Sequence, residues 1–169
     1  MMPVIVTTSF TQESIPDCGS NFGNFNCVEV IPVEKEISYL EDYVDLQRLR
    51  KDDRYQVSLT YSKDVKGFSI EPLLLIPFVE NAFKHLSSHT AKNNFVRLEL
   101  ARSNGHFIFS AENSKDEVKA TDPYSGIGLN NVKRRLELLY PGKHELTISD
   151  EESVYRIDLT LKIDEKHNG

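Results

Sequence analysis

Four polar side chains, Glu80, Asn81, Lys84 and His85, lie close together near the end of a strongly apolar segment of the sequence, EPLLLIPFVENAFKHL at residues 71–86. On a helix, Asn81, Lys84 and His85 occupy positions i, i+3 and i+4, so they share one face. The amide oxygen of Asn81 suits a hydrated Mg²⁺ ion bound to a nucleotide, and the neighbouring Glu80 suits a water or a proton. Lys84 or His85 would then meet phosphate. Spacing alone favours a plainer interpretation, in which Glu80 pairs with Lys84 and Asn81 is simply exposed.

A second group follows at GIGLNNVKRRL, residues 126–136, where two glycines precede a predicted helix. Glycine lets the backbone approach a ligand closely, and a helix N-terminus offers free N–H groups to a phosphate. The first turns add amide donors and positive charge, from Asn130, Asn131, Lys133, Arg134 and Arg135. The plainer alternative is a loop before an amphipathic helix whose basic residues face water. A lone GxG is weak support, and neither a dinucleotide fingerprint nor a P-loop is present.

The composition limits the class of protein. A chain of 169 residues with 39% hydrophobic and 27% charged residues is typical of one globular domain. The net charge of −6 argues against nucleic acid and anionic membranes as partners. Cys18 and Cys27 do not have metal-site spacing, and the start of the sequence does not read as a signal peptide. We therefore expect a reducing, cytoplasmic environment and no membrane contact by this chain.

Hydrophobic periodicity predicts a mixed α/β arrangement. Residues 1–30 are expected to be irregular, and residues 164–169 to form a polar tail. Between them we predict helices over 34–50, 78–89 and 126–140, and strands over 55–61, 94–102, 106–112, 145–149 and 154–163. Asn104-Gly105 predicts a hairpin turn, and Pro141-Gly142 ends the last helix. This order suggests one mixed sheet with helices on one face.

Three segments together resemble a known family. IPFVENAFKH, residues 76–85, resembles the N-box of the GHKL ATPases. GIGLNNVKRRLELLYPG, residues 126–142, resembles the G-box and following helix of the LytS/YehU-type sensor histidine kinases. VEKEISYLEDYVDLQRLR, residues 33–50, is similar to the segment that joins their acceptor helices to the ATPase domain. The resemblance covers residues 31–163, with residues 31–52 as the connecting helix.

The resemblance implies a two-layer α/β sandwich of the Bergerat (GHKL ATPase) type that binds ATP and Mg²⁺. It implies that Glu80 and Asn81 are the catalytic pair, with Asn81 holding Mg²⁺. Residues 114–125 would form a lid over the phosphates. The implied nucleotide-binding residues extend over four segments of the chain: Asn81, Lys84 and His85; Asn113; Gly126, Ile127, Gly128 and Leu129; and Asn130, Asn131, Arg134 and Arg135.

The sequence departs from the family pattern at three points. Many relatives carry Asp-x-Gly-x-Gly where this chain has Asn113-Ser114-Lys115-Asp116-Glu117. Asn113 can accept a hydrogen bond from the adenine amine without charge, so we expect weaker adenine binding than aspartate would give. The lid is short, with Ser125 where a glycine is usual. Residues 1–30 contain no histidine, so we expect the phospho-acceptor histidine to lie outside this chain.

The resemblance thus implies the ATP-binding catalytic module of a two-component sensor histidine kinase, not autophosphorylating alone. Its implied partners are the acceptor-histidine domain of the same or a sister kinase, a LytTR-type response regulator, and a second copy in a homodimer. The full-length kinase would be anchored in the inner membrane. Two alternatives stay open: an interaction module that keeps the fold but has lost ATP binding, and an ATPase with Glu80 as the base.

Overall fold

The computed structural model describes residues 30–50, 55–87, 94–116 and 127–163. The expected irregular segment 1–30 except for its last residue, nearly all of the expected lid, and the tail lie outside these ranges. The elements within them alternate helices and strands in the following order: β1 (Ile31–Pro32), α1 (Val33–Arg50), β2 (Tyr55–Tyr61), β3 (Ser69–Ile70), α2 (Ile76–Lys84), β4 (Asn94–Ser103), β5 (His106–Ser114), α3 (Ile127–Leu139), β6 (His144–Asp150) and β7 (Val154–Lys162).

Five strands form one mixed sheet in the order β2-β4-β5-β7-β6. β2 and β4 run parallel, with Val57 opposite Val96, whereas the other three neighbouring pairs are antiparallel. The turn between β4 and β5 places Asn104 and Gly105 at φ values of 50° and 73°. This left-handed conformation is the one that Asn-Gly favours in a two-residue turn, so the predicted hairpin is confirmed.

The two faces of the sheet differ in character, because side chains alternate along each strand. One face is apolar, and its buried residues include Leu98 on β4, Phe109 on β5 and Leu159 on β7. The opposite face carries a charged row in which Glu112 pairs with Arg97 and Arg156 at 3.4 and 3.5 Å. Only the apolar face therefore needs a covering layer.

The three helices supply that layer. α2 packs on β4 and β5, α3 on β6, and α1 on β2. The ring of Phe78 on α2 lies 5.9 Å from that of Phe109, measured between centroids. α3 contributes the fully buried Leu136. The predicted mixed sheet with helices on one face is thus confirmed.

The first half of α1 packs on its own domain, and the second half leaves two leucines exposed. Ile37, Leu40 and Val44 are buried, and their spacing of three and four residues places them on one face of the helix. Leu46 and Leu49 are 60% and 85% exposed. The apolar residues of α1 are therefore only partly used in the core.

The predicted span of the second helix was wrong at both ends. α2 begins at Ile76, with Pro77 in its first turn, and it ends at Lys84. Beyond it, the backbone N–H of Ser87 donates to the carbonyl of Ser114 on β5 at 3.0 Å. The N–H group of Ser87 is thus bonded to the sheet and not to the helix. Residues 85–87 are not helical, and residues 88 and 89 lie outside the described ranges.

The structure adds one small sheet that the sequence did not predict. β1 and β3 pair antiparallel, with Ile31 opposite Ile70. Strands of two residues are too short to show a period in the sequence. Ser114 was assigned to the lid, but it is the last residue of β5, opposite Val154. In the described ranges, every helix is too short or too polar to cross a membrane.

Candidate functional site

A cavity of about 550 Å³ opens between the three helices. Its volume is in the range of about 300–1,000 Å³ that is typical of small-molecule sites. The lining mixes charged, amide, aromatic and glycine residues from all three helices: Tyr43, Gln47, Arg50, Pro77, Glu80, Asn81, Phe83, Lys84, His85, Gly128 and Leu129. Both groups of candidate residues from the sequence are therefore represented in one concave site.

α2 forms the centre of this cavity because its two faces differ. Phe78, Val79 and Ala82 are buried against the sheet. Glu80 and Asn81 lie at the cavity, where Glu80 is exposed and Asn81 is partly buried. The sequence placed Asn81 on one helical face with Lys84 and His85, and all three line the cavity together. The side-chain oxygen atoms of Glu80 and Asn81 thus line the same cavity as the Lys84 ammonium and the His85 imidazole.

The start of α3 also contributes to the cavity wall, through Gly128 and Leu129. A Cβ added at Gly128 would meet nothing within 4 Å. Protein packing therefore does not require a glycine here, whereas a ligand that approaches the backbone would. Gly126 lies outside the described residues, and Ile127 is described only as the first residue of α3.

The remaining candidates on α3 do not line the cavity. Asn130, Asn131 and Arg134 are exposed and stand outside it. Their assignment to a nucleotide stays a prediction.

Arg135 has a different set of partners from the predicted nucleotide. Its guanidinium donates to the carbonyl oxygens of Pro72 and Leu73 at 3.0 and 3.3 Å, and it approaches Glu71 Oε1 at 3.4 Å. These contacts attach α3 to the loop before α2. In this structure Arg135 therefore binds protein backbone and does not line the cavity.

The same loop is also held from α1 by Glu36. The buried carboxylate accepts hydrogen bonds from the backbone N–H groups of Leu73 at 2.8 Å and Leu75 at 2.9 Å. Burial raises the pKa of Glu36, and the backbone donors oppose that rise. Leu73 adopts φ 54°, which is unusual for a residue with a side chain. Residues 71–75 thus contact both α1 and α3 and lead directly into α2, and we call this segment the 71–75 loop.

Asn113 lies behind the cavity, not in its lining. Its side chain is fully buried on β5, and its amide group donates to the carbonyls of Ser114 at 3.0 Å and His85 at 3.4 Å. No described residue provides a hydrogen bond to its Oδ1 atom. A buried acceptor without a partner is costly, so this atom is a candidate to meet a ligand donor. His85 connects Asn113 to the cavity wall.

Sequence reasoning missed the wall that α1 provides. Tyr43, Gln47 and Arg50 line the cavity, and their spacing of i, i+4 and i+7 places them on one helical face. The ring of Tyr43 meets that of Phe83 edge-on at 6.1 Å. Burial and the nearby Glu80 carboxylate raise the pKa of Tyr43, while Gln47 and Arg50 oppose the rise. The spacing of these three residues is visible in the sequence. The apolar residues of the same helix, however, indicate core packing and not a ligand site.

Sequence and structure comparisons agree on one class of protein. The sensor histidine kinase BtsS of Escherichia coli K12 is 25% identical over 134 residues, which cover 79% of this chain and 24% of BtsS. The sensor protein LytS of Staphylococcus saprophyticus is 25% identical over 143 residues, covering 78% of this chain and 24% of LytS. The chain thus spans about a quarter of the length of these relatives. No protein-family model matches the sequence.

The fold has counterparts among solved structures. The catalytic domain of histidine kinase ThkA superposes with a TM-score of 0.56 at 12% identity, covering 79% of this chain and 95% of that domain. At this identity the likeness concerns the fold alone, which is that of histidine kinase catalytic domains. In sequence, the chain is similar to sensor histidine kinases such as BtsS and LytS.

Proposed function

We propose that the chain binds Mg-ATP in the cavity between α1, α2 and α3 and presents it for phosphoryl transfer to a histidine. One observation carries the proposal: Asn81 of α2 and Gly128 of α3, which are 47 positions apart in sequence, line the same cavity. A carboxamide and the backbone of a helix N-terminus suit the same polyphosphate. Because two polar segments that are distant in sequence meet at one cavity, a nucleotide fits this site better than an apolar ligand does.

The phosphate chain would lie between α2 and the start of α3. Lys84 and His85 bring donors to the cavity of a protein whose net charge is −6, and the N–H groups of α3 add partial positive charge. These groups would neutralise and orient the phosphates, which is the main contribution a protein makes to phosphoryl transfer. The chain would supply positioning, and the histidine nucleophile would belong to an acceptor domain.

Asn81 and Glu80 fit a magnesium ion at this site. Both side chains line the cavity, and both provide the oxygen atoms that Mg²⁺ prefers. When bound, the ion would offset the negative charge of the phosphates. Glu80 is also placed to orient a water or accept a proton next to the phosphates.

The adenine base would meet Asn113. Its Oδ1 atom lacks a partner among the described residues, and adenine carries an amine that donates hydrogen bonds. A neutral amide in place of a carboxylate predicts weaker adenine binding. The same substitution favours the second candidate function, a GHKL-fold interaction module without ATP binding.

The partners of the whole kinase follow from the same proposal. The chain would act with an acceptor-histidine domain of the same or a sister kinase, and the phosphoryl group would pass to a LytTR-type response regulator. A homodimer and an inner-membrane anchor elsewhere in the kinase complete the proposed system, with this domain on the cytoplasmic side.

Calorimetric titration with a non-hydrolysable ATP analogue, with and without Mg²⁺, tests the proposal. We expect Mg²⁺-dependent binding that Asn81→Ala abolishes. Gln56→Ala, which removes an exposed carboxamide from β2, is the matched control and should bind as the unaltered chain does. Absence of binding in the unaltered chain would favour the interaction module. Steady ATP turnover by the chain alone, lost in Glu80→Gln, would favour the ATPase.

A further inference from the structure

The second half of α1 contributes a polar wall to the cavity. Tyr43, Gln47 and Arg50 all line it, and Arg50 is the last residue of the helix. They lie across from α2, because Tyr43 contacts Phe83 and is close enough to Glu80 for that carboxylate to affect its pKa. α1 is therefore part of the site as well as part of the core.

Arg50 and its near neighbour Arg48 are engaged differently. The Arg48 guanidinium donates to Asp45 at 3.0 Å and to the backbone carbonyl of Val57 on β2 at 2.9 Å. Arg50 instead lines the cavity, and within the described ranges it forms no ion pair with a carboxylate. A guanidinium that lines a cavity and pairs with no described carboxylate has its donors available for a ligand anion.

The charges around the cavity indicate which ligand anion fits. Arg50 and Lys84 bring positive charge from two helices, whereas Glu80 is the one carboxylate among the described residues of the lining. Arginine offers several donors in a planar fork that matches phosphate oxygens. The Arg50 guanidinium on α1 and the N–H groups at the start of α3 thus both suit a phosphate ligand.

We propose that Arg50 binds the phosphate chain of the nucleotide, so that α1 is a third phosphate-binding element beside α2 and α3. The inference rests on the proposed function and extends it to a residue in the helix that precedes the ATPase core. Tyr43 and Gln47 lie on the same face of α1 as Arg50 and form the rest of this wall. Binding of nucleotide and the position of α1 would then be linked in both directions.

Titrations of the full chain with ATP and with adenosine, by calorimetry in Mg²⁺ buffer, test the assignment. Arg50→Ala is expected to weaken ATP binding by about tenfold or more, because a hydrogen bond to a charged group is lost. Adenosine, which has no phosphate, should bind equally to both forms. Arg50→Lys should recover part of the loss, since the point charge remains without the fork.

Arg48→Ala is the matched control, because it removes the same side chain two residues away from a site outside the cavity lining. It should leave ATP affinity unchanged, and circular dichroism with thermal melting would verify that each variant is folded. Equal ATP affinity of Arg50→Ala and the unaltered chain would overturn the inference, as would equal weakening of ATP and adenosine. If the unaltered chain binds no ATP, the proposed function itself fails.

Discussion

Replacing Glu36 with alanine is expected to destabilise the fold by about 2–4 kcal/mol. The carboxylate accepts two backbone hydrogen bonds, from Leu73 and Leu75. A buried N–H group left without a partner costs roughly 1–3 kcal/mol. Leu75 is fully buried, so its N–H group would carry that full cost. Leu73 is 51% exposed, and water would replace part of its lost bond. The loss is a large fraction of the roughly 5–15 kcal/mol that stabilises a typical domain.

Urea unfolding followed by circular dichroism measures this difference. Asp42→Ala on the same helix is the control, because Asp42 is exposed and its loss should change the free energy of unfolding by no more than about 0.5 kcal/mol. Glu36→Gln should fall between the two, since one amide oxygen remains but the amide N–H₂ faces a second donor. If Glu36→Ala and Asp42→Ala destabilise equally, the 71–75 loop is held by other contacts and the reasoning is refuted.

The pH dependence of the same pair provides an independent check. Burial raises the folded-state pKa of Glu36 above its ordinary value of 4.5. Between that value and the raised pKa, the folded chain holds a proton that the unfolded chain releases. The stability that Glu36 contributes is therefore greatest below pH 4.5 and falls as the pH rises through the folded-state pKa. The advantage of the unaltered chain over Glu36→Gln should shrink across this window, and an advantage that grows with pH would contradict the assignment.

Four further changes should have measurable effects. Leu136→Ala removes a fully buried side chain and should cost about 2–5 kcal/mol in urea unfolding. Gly105→Ala should cost about 1 kcal/mol or more and lower the melting temperature, because φ is +73° there. Arg135→Lys loses the fork that reaches two carbonyls, and unfolding should show a loss of about 1 kcal/mol. Asn113→Asp should destabilise the free protein by about 1–3 kcal/mol through a buried charge, yet tighten ATP binding in calorimetry.

The strands and the hairpin were predictable because their information is local. Alternating residues on β4 and β5 specify one buried face, and Asn104-Gly105 specifies the turn between them. The end of α2 was not predictable, because Ser87 leaves the helix to bond Ser114 on a strand that is distant in sequence. A helical period cannot register such a competing tertiary bond.

The candidate site divides along the same line. Asn81 and Lys84 are close in sequence and lie on one helix, so their spacing together with the family resemblance predicted that they share a site. The role of Arg135 depends on the 71–75 loop, which lies more than 60 residues earlier in the chain. The position of Arg50 likewise depends on how α1 docks against α2. Charge and spacing identify such residues as candidates, but only tertiary packing determines which of them meet.

The backbone conformation of Leu73 has a consequence for the position of α2. A leucine with φ 54° holds a conformation that its own sterics disfavour by about 1–2 kcal/mol. The bend is therefore held by two neighbours. Glu36 on α1 accepts a hydrogen bond from the N–H group of Leu73, and Arg135 on α3 donates one to its C=O group. Any change in the relative position of α1 and α3 would therefore act on the segment directly before α2, the helix that carries Asn81.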